Sequence, residues 1–391
     1  MRVLHLTPEF PPVIWGGLGT AVGGLANASA RAGMSVGVLL VGGALVAGDR
    51  RYGGWQPFSP EKISGEAITN EDGVVFFHVS PDDAHEIGLR LGSQWQPDVI
   101  HLHTAWLAPL ACAIRERTKA PLVLTVHSLD RAEYEIGEMA THWTIQDAAI
   151  AEANRVIAIS QSEKDLIEFY CPEVLRRVRI VGNGIDDSLN TGRSLQSRCW
   201  SKDCPVVLYT GRFVQRKGIM ELLAAIPEVL KKAPTTQFVL VGGYGGGAEI
   251  ERNWMLETLL PFRDRVHFTG WLSPSEVAEW YSASDILVVP SWYEPFGMVI
   301  LEGMLHGLPI AATDVGGPAE ILEHERTGLL FPAKNVAALT DTLLRLINDS
   351  TLRQTLGKAA GSEVREKWLW SRIVEKFRRI YQEAVVTALL N

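Results

Sequence analysis

The feature that most limits the fold is an alternation running the length of the chain: short β-branched runs followed by amphipathic stretches, in two successive series. A strand covered on both faces reads as a continuous apolar run, and a parallel crossover needs a helix-length connection, so this pattern is that of parallel sheets with helices on both sides. The fold class is α/β. Strands are predicted at 2–7, 35–41, 74–79, 98–103, 122–127, 156–160 and 178–181, with helices at 19–32 and 106–117 among them. The second series predicts strands at 206–210, 237–241, 266–269, 286–290, 309–312 and 329–331. Between the series lies a polar stretch without periodicity that includes Asn190-Thr191-Gly192-Arg193-Ser194. The expected organisation is a first domain at 1–186, a linker at 187–203 and a second domain at 204–370, and 391 residues suffice for two such cores. A last helix, 371–391, carries Ile373, Phe377, Ile380, Tyr381, Ala384 and Ala388 on one stripe. That face must be buried, against either domain or on a membrane surface.

Composition removes several classes of function. A net charge of −8 argues against general nucleic-acid binding, which needs a surplus of Lys and Arg to release counterions from phosphate. No apolar run reaches transmembrane length, and the opening Met1 to Thr7 meets Pro8 and Glu9 before a signal-type core can form. The expectation is a cytoplasmic protein with at most peripheral membrane contact. Cys112, Cys171, Cys199 and Cys204 contain no C-x-x-C pair, so neither a zinc site nor a disulfide framework is expected; Cys199 and Cys204 read as free thiols in a loop.

The chemistry concentrates in loops that follow strands. Glu294-Pro295-Phe296-Gly297-Met298-Val299-Ile300-Leu301-Glu302 places two carboxylates around a turn, with a helix predicted from Met298 to His306. Amide groups at that helix start suit an anionic or polyoxygenated ligand, and the two carboxylates can hold a sugar and a ribose; both also fit ordinary helix-start or solvent-facing roles. Gly211-Arg212 ends the strand 206–210, and Lys217-Gly218 follows at a helix start. Ligands of open α/β sheets bind at the carboxyl ends of strands, so a guanidinium and an ammonium there suit a diphosphate. Gly16-Gly17-Leu18-Gly19 gives a loop before a helix that can cap phosphates or form a plain tight turn; it matches neither G-x-G-x-x-G nor the P-loop. Gly242-Gly243-Tyr244-Gly245-Gly246-Gly247 follows another strand, as pocket lining or as a loose loop. His103 and His127 end strands, with His127 favoured as a sugar contact, and Trp15, Trp106 and Trp143 lie near strand ends where rings can stack on sugars.

Taken together, Gly16-Gly17, His127, Asn183-Gly184-Ile185-Asp186, Gly211-Arg212, Lys217-Gly218 and Glu294 through Glu302 resemble retaining glycosyltransferases of the GT-B fold, family 4 type, with some similarity to glycogen and starch synthases. The resemblance covers essentially the whole chain in order. It implies two Rossmann-like, doubly wound domains facing a cleft, with a nucleotide diphosphate sugar, UDP-linked by default, as donor and a sugar or glycan as acceptor. It implies catalytic roles for Glu294, His127, Arg212 and Lys217. Donor contacts are implied for Gly16, Gly17, Gly211, Arg212, Lys217, Gly243, Trp271, Glu294, Pro295, Phe296, Gly297, Met298, Val299 and Glu302. Trp15 stands where storage-glucan synthases usually carry Lys, which weakens an ADP-glucose-dependent glucan synthase as the alternative; a nucleotide-sugar 2-epimerase shares the architecture. No cofactor and no metal are expected, since two cations and loop amides can stabilise the leaving diphosphate. The substitution Lys217→Ala is expected to abolish transfer and leave the fold intact.

Overall fold

A computed structural model describes residues 1–11, 14, 16–42, 67–137, 143–187, 204–243 and 259–390. The chain forms two compact units, one of residues up to Ile185 together with Leu369–Asn391, the other of Asp186–Trp368. Most of the linker predicted at 187–203, with Asn190-Thr191-Gly192-Arg193-Ser194 and Cys199, lies outside the described residues, as do Trp15 and Tyr244-Gly245-Gly246-Gly247.

The first unit contains β1 (Arg2–Thr7), β2 (Ser35–Val41), β3 (Ala67–Thr69), β4 (Val75–Val79), β5 (Val99–Leu102), β6 (Leu122–Val126), β7 (Arg155–Ala158) and β8 (Val178–Ile180). They form one sheet in the order β3-β4-β2-β1-β5-β6-β7-β8, parallel except for the β3 edge. Helices α1 (Gly17–Arg31), α2 (Ala84–Trp95), α3 (Ala108–Thr118), α4 (Asp130–Glu135), α5 (Trp143–Glu152) and α6 (Gln161–Tyr170) connect the strands. The helix predicted at 106–117 instead opens as a 3-10 turn, Ala105–Leu107, and restarts as α3 with Pro109 in its first turn. Proline has no N–H to give, so it starts a helix well and cannot continue one.

The C-terminal helix, Trp370–Leu390, packs in this first unit against α1, β5 and β6. Its buried stripe is Ile373, Val374, Phe377, Ile380, Tyr381 and Ala384, while Ala388 is only half-buried in the last turn. Close approach is possible because α1 is rich in small residues. A Cβ on Gly24 would sit 1.9 Å from Nε1 of Trp370, and one on Gly184 2.6 Å from the same indole.

The second unit contains β9 (Val206–Thr210), β10 (Gln237–Val241), β11 (Val266–Gly270), β12 (Ile286–Val289), β13 (Ile310–Thr313) and β14 (Leu329–Phe331). They form an all-parallel sheet in the order β11-β10-β9-β12-β13-β14. Among the described residues its helices are α7 (Ile219–Lys232), α8 (Pro274–Ala283), α9 (Met298–Leu305), α10 (Gly316–Ile321), α11 (Val336–Asn348) and α12 (Ser350–Lys367). Seven residues of α7, from Ile219 to Leu230, are buried at helical spacing against Val207, Leu240, Ile286 and Leu343. No helix among the described residues is long and apolar enough to cross a membrane.

Each sheet has one place where its strand order reverses direction, β1/β5 in the first and β9/β12 in the second. Connections leave such a point to opposite faces, so a crevice opens at the carboxyl ends of the two strands. Gly16 and Gly17 follow β1, Gly211, Arg212 and Lys217 follow β9, and Glu294 to Gly297 follow β12, at those two points; His127, Gly243 and Trp271 follow β6, β10 and β11, and Glu302 lies within α9.

Candidate functional site

In the second unit the loops after β9 and β12 converge. Lys217 ends a 3-10 turn, Gln215–Lys217, and Gly218 follows in a left-handed conformation at φ +66° before α7 begins. A Cβ on Gly218 would lie 1.8 Å from the carbonyl oxygen of Pro290, so only glycine lets these two loops touch. The result is a short ion pair: Lys217 Nζ donates to Glu294 Oε2 at 2.6 Å, across 77 residues of sequence. Ser291 Oγ donates to the same oxygen at 3.1 Å, and Oε1 has no donor among the described residues.

Burial pushes the Lys217 ammonium down; the Glu294 carboxylate raises it, and Arg216 and Arg212 lower it again. Burial likewise raises Glu294, but Lys217, Arg216 and the Ser291 bond outweigh it and hold the carboxyl below its usual range. The pair is therefore charged at neutral pH, with the Arg216 and Arg212 cations acting on it. Arg212, by contrast, is exposed, and its carbonyl rather than its guanidinium is engaged, by the Tyr209 hydroxyl at 2.9 Å.

The turn after Glu294 is buried through its side chains, Phe296 to 4% exposed and Met298 to 8%. What Pro295, Phe296, Gly297, Met298 and Val299 can offer a ligand is mainly backbone. Gly297, at φ +102°, precedes α9; the Ile300 amide turns back to the Gly297 carbonyl at 2.9 Å, while the Met298 and Val299 amides have no intrahelical acceptor. Glu302 lies one turn into α9, where its Oε2 accepts the Tyr281 hydroxyl at 2.6 Å; Tyr281 also meets Thr210 Oγ1 at 2.8 Å. Burial raises the Glu302 carboxyl, and burial with the Glu302 charge drives the Tyr281 phenol well above its ordinary value. Thus Glu302 is tied to the end of β9 as Glu294 is tied to the turn that follows it. Gly211 and Gly242 touch backbone to backbone, since a Cβ on Gly242 would meet the Gly211 oxygen at 1.9 Å, and Gly243 packs beside the Trp271 indole.

Sequence reasoning missed four members of this constellation. Arg216, buried to 6%, donates from Nη1 to the Tyr293 carbonyl at 3.5 Å. Tyr281 comes from α8, and no local pattern marks it. Gly316 and Gly317 press on the carboxylate loop, with Gly317 N donating to the Glu294 carbonyl at 2.9 Å. The Gly-Gly-Pro at 316–318 was the available signal, since a glycine pair ahead of a helix-starting proline marks a close backbone approach.

In the first unit, Gly16 is extended at φ −179° as the residue before α1, and Gly17 opens the helix. The α1 start already holds a carboxylate: Glu9 Oε2 accepts the Gly19 amide at 3.1 Å. That loop therefore presents a glutamate, which the sequence reading did not single out. Trp106 lies in the 3-10 turn, 42% exposed, and Trp143 stacks with Arg131 at 5.0 Å.

His127, itself half-buried, follows β6 and ends a buried row. His5 Nδ1 lies 2.9 Å from His103 Nε2, and His103 Nδ1 lies 3.1 Å from His127 Nε2. His101 stands beside them, with Nδ1 at 2.8 Å from the Tyr381 hydroxyl and Nε2 at 2.8 Å from Thr125 Oγ1. Nitrogens of His5, His101 and His103 lie within 4.8 Å of one another, close enough to raise the question of a metal. The ring nitrogens are instead committed to hydrogen bonds, and only His5 Nε2 lacks a partner among the described residues. The chemistry of this set is that of a hydrogen-bonded network.

Burial lowers every one of these imidazoles, His5 to about 3 and His127 to about 4, with His101 and His103 well below the ordinary value. The unfolded chain, at about 6.5, then binds protons that the folded chain refuses, so stability falls as pH drops from about 6.5 toward about 4. We expect about 1.4 kcal/mol lost per pH unit for each such histidine in that window. Thermal unfolding measured from pH 7 to pH 4 checks this; a flat profile contradicts it.

Residues 15–189 match the family Glycosyltransferase Family 4, and residues 204–349 match Glycosyl transferases group 1. A D-inositol 3-phosphate glycosyltransferase of Corynebacterium efficiens is 30% identical over 73% of this chain and 71% of its own length. A glycogen synthase of Mycobacterium tuberculosis is 26% identical over 98% of this chain and 95% of its own. The solved sucrose-phosphate synthase of Thermosynechococcus elongatus superposes with a TM-score of 0.79 at 25% identity, covering 99% of this chain and all of that one.

Proposed function

Because the chain belongs to the glycosyltransferases of family 4 and has the GT-B fold, we propose that it moves a hexose, with retention, from a UDP-linked sugar to a hydroxyl of a saccharide or glycan acceptor, in the cytoplasm. The observation that carries the proposal is the meeting of the β9 and β12 loops, with Lys217 Nζ 2.6 Å from Glu294 Oε2 at the point where the strand order reverses. In this reading Lys217 and the exposed Arg212 carry the charge that builds on the departing diphosphate, beside the backbone of Gly211. Glu302 holds the ribose hydroxyls and the Gly243–Trp271 wall lies along the nucleotide. Glu294 takes a hydroxyl of the transferred sugar at Oε1, with the backbone at 295–299 around it.

In the first unit, Gly16, Gly17 and His127 are read as ligand contacts in their own right. The acceptor hydroxyl attacks the anomeric carbon on the face the diphosphate leaves, and its proton passes to the leaving phosphate oxygen. No metal is called for, because fixed positive charge does that work.

A second reading, a glucan synthase, is favoured by the similarity to a glycogen synthase along nearly the full length of both chains, and under it an ADP-linked glucose is the donor to test. One experiment separates the bases. Thermal shift against UDP, GDP and ADP should single out one nucleotide, since a ligand at 100 times its Kd adds about 2.7 kcal/mol of stability. Glu302→Ala should remove most of that shift while Arg263→Ala, on an exposed turn, keeps it. Equal shifts in wild type and Glu302→Ala would end the ribose assignment.

A further inference from the structure

The row His5–His103–His127 has a direction. Each ring is neutral around pH 7, because burial depresses all three. A neutral imidazole has one N–H and one lone pair, so three rings joined nitrogen to nitrogen have two self-consistent proton arrangements. In one, every proton sits on Nε2: His127 donates to His103, His103 donates to His5, and His5 is left with an Nε2–H. In the other, every proton sits on Nδ1: His5 donates to His103, His103 donates to His127, and His5 is left with a bare Nε2 lone pair. Mixed arrangements set N–H against N–H, or lone pair against lone pair.

The unpartnered end decides between the two. His5 is 0% exposed, and its Nε2 has no hydrogen-bond partner among the described residues. A stranded donor is rarer in folded proteins than a stranded acceptor. His101 does not alter the choice, since Tyr381 and Thr125 occupy both of its nitrogens.

We propose that His5 and His103 are positioning residues that hold His127 as its Nδ1–H tautomer, so that the half-exposed edge of this ring is a hydrogen-bond donor. This runs against the modest preference of free imidazole for Nε2–H. It also fixes what His127 can do in the proposed transfer, on which the functional part of the inference rests. A ring whose outward nitrogen carries the proton donates to a sugar or phosphate oxygen and cannot accept the proton of the acceptor hydroxyl there.

Histidine-labelled protein without any ligand, examined by long-range proton–nitrogen correlation NMR at pH 7, tests the direction. Protonation at Nδ1 of His5, His103 and His127 is the expected result, and a His127 protonated at Nε2 would overturn the proposal. This measurement needs neither donor nor turnover, so it stands or falls separately from the assigned reaction. Positioning is tested by His103→Phe and His103→Gln. The first removes the donor to His127 and should lower kcat roughly tenfold with mixed His127 tautomers; the second supplies an amide N–H and should restore both. Equal kcat in the two variants, with His127 still Nδ1-protonated in His103→Phe, would overturn the positioning role.

Discussion

Lys217→Ala should lower kcat by about 10²–10³, the usual loss when one preorganised donor to developing charge is removed. It should also destabilise the second unit by about 3–5 kcal/mol, because Glu294 is left as a buried, unpaired carboxylate. The sequence reading expected the fold to stay intact, and the ion pair adds a stability cost to that expectation. The double variant Lys217→Ala, Glu294→Gln separates the two effects. Neutralising the stranded carboxylate should recover most of the thermal stability, while transfer of labelled hexose stays lost. A double variant that melts like wild type and turns over at more than about a tenth of its rate would refute the diphosphate role of the ammonium.

Gly317→Ala should be nearly as damaging, although no side chain is lost. A Cβ there would lie 2.0 Å from the Phe296 carbonyl oxygen, and backbone on both sides leaves no flexible atom to yield. The loop from Glu294 to Gly297 must move by about an ångström, and displacement on that scale costs roughly 10²-fold in rate. Overpacking should add about 1–3 kcal/mol of destabilisation. Gly361→Ala is the matched control. Its Cβ would first meet an atom at 3.4 Å, inside α12, so it should be neutral or gain up to about 1 kcal/mol of helix propensity. Steady-state kinetics and thermal melts of the pair check this; similar behaviour of the two would mean the Gly317 contact does not position the loop.

Sequence patterning read the strands to within a residue or two, apart from the exposed edge strand β3, which it missed; the central strands are buried on both faces and so carry unbroken apolar runs, whereas β3 has none. It erred where side-chain pattern does not control the backbone. His103 was placed at the end of a strand that stops at Leu102, and the helix start at 106 was displaced by Pro109. In the site, Lys217 and Glu294 were each legible as polar residues just past a strand, but their pairing is not a local property. Tyr281 on Glu302, Glu9 on the α1 amide and His5 beneath His103 were illegible for the same reason. Each depends on which strands and helices become neighbours, and β1 meets β5 only because the sheet order reverses between them. The last helix was read correctly as one-sided, while its partner became visible only through Gly24 and Gly184 against Trp370.

That helix also sets a timetable for synthesis. Residues 370–390 cover β5 and β6 of the first unit, yet the whole of Asp186–Trp368 is translated before them. At about 5–20 residues per second, the early half waits roughly 10–40 s beside the ribosome with an uncovered apolar face. The later half has all of its own segments sooner. Chains truncated before Trp370 should thus carry a second unit with all of its segments and an aggregation-prone first unit, the hazard lasting until the final helix closes over it.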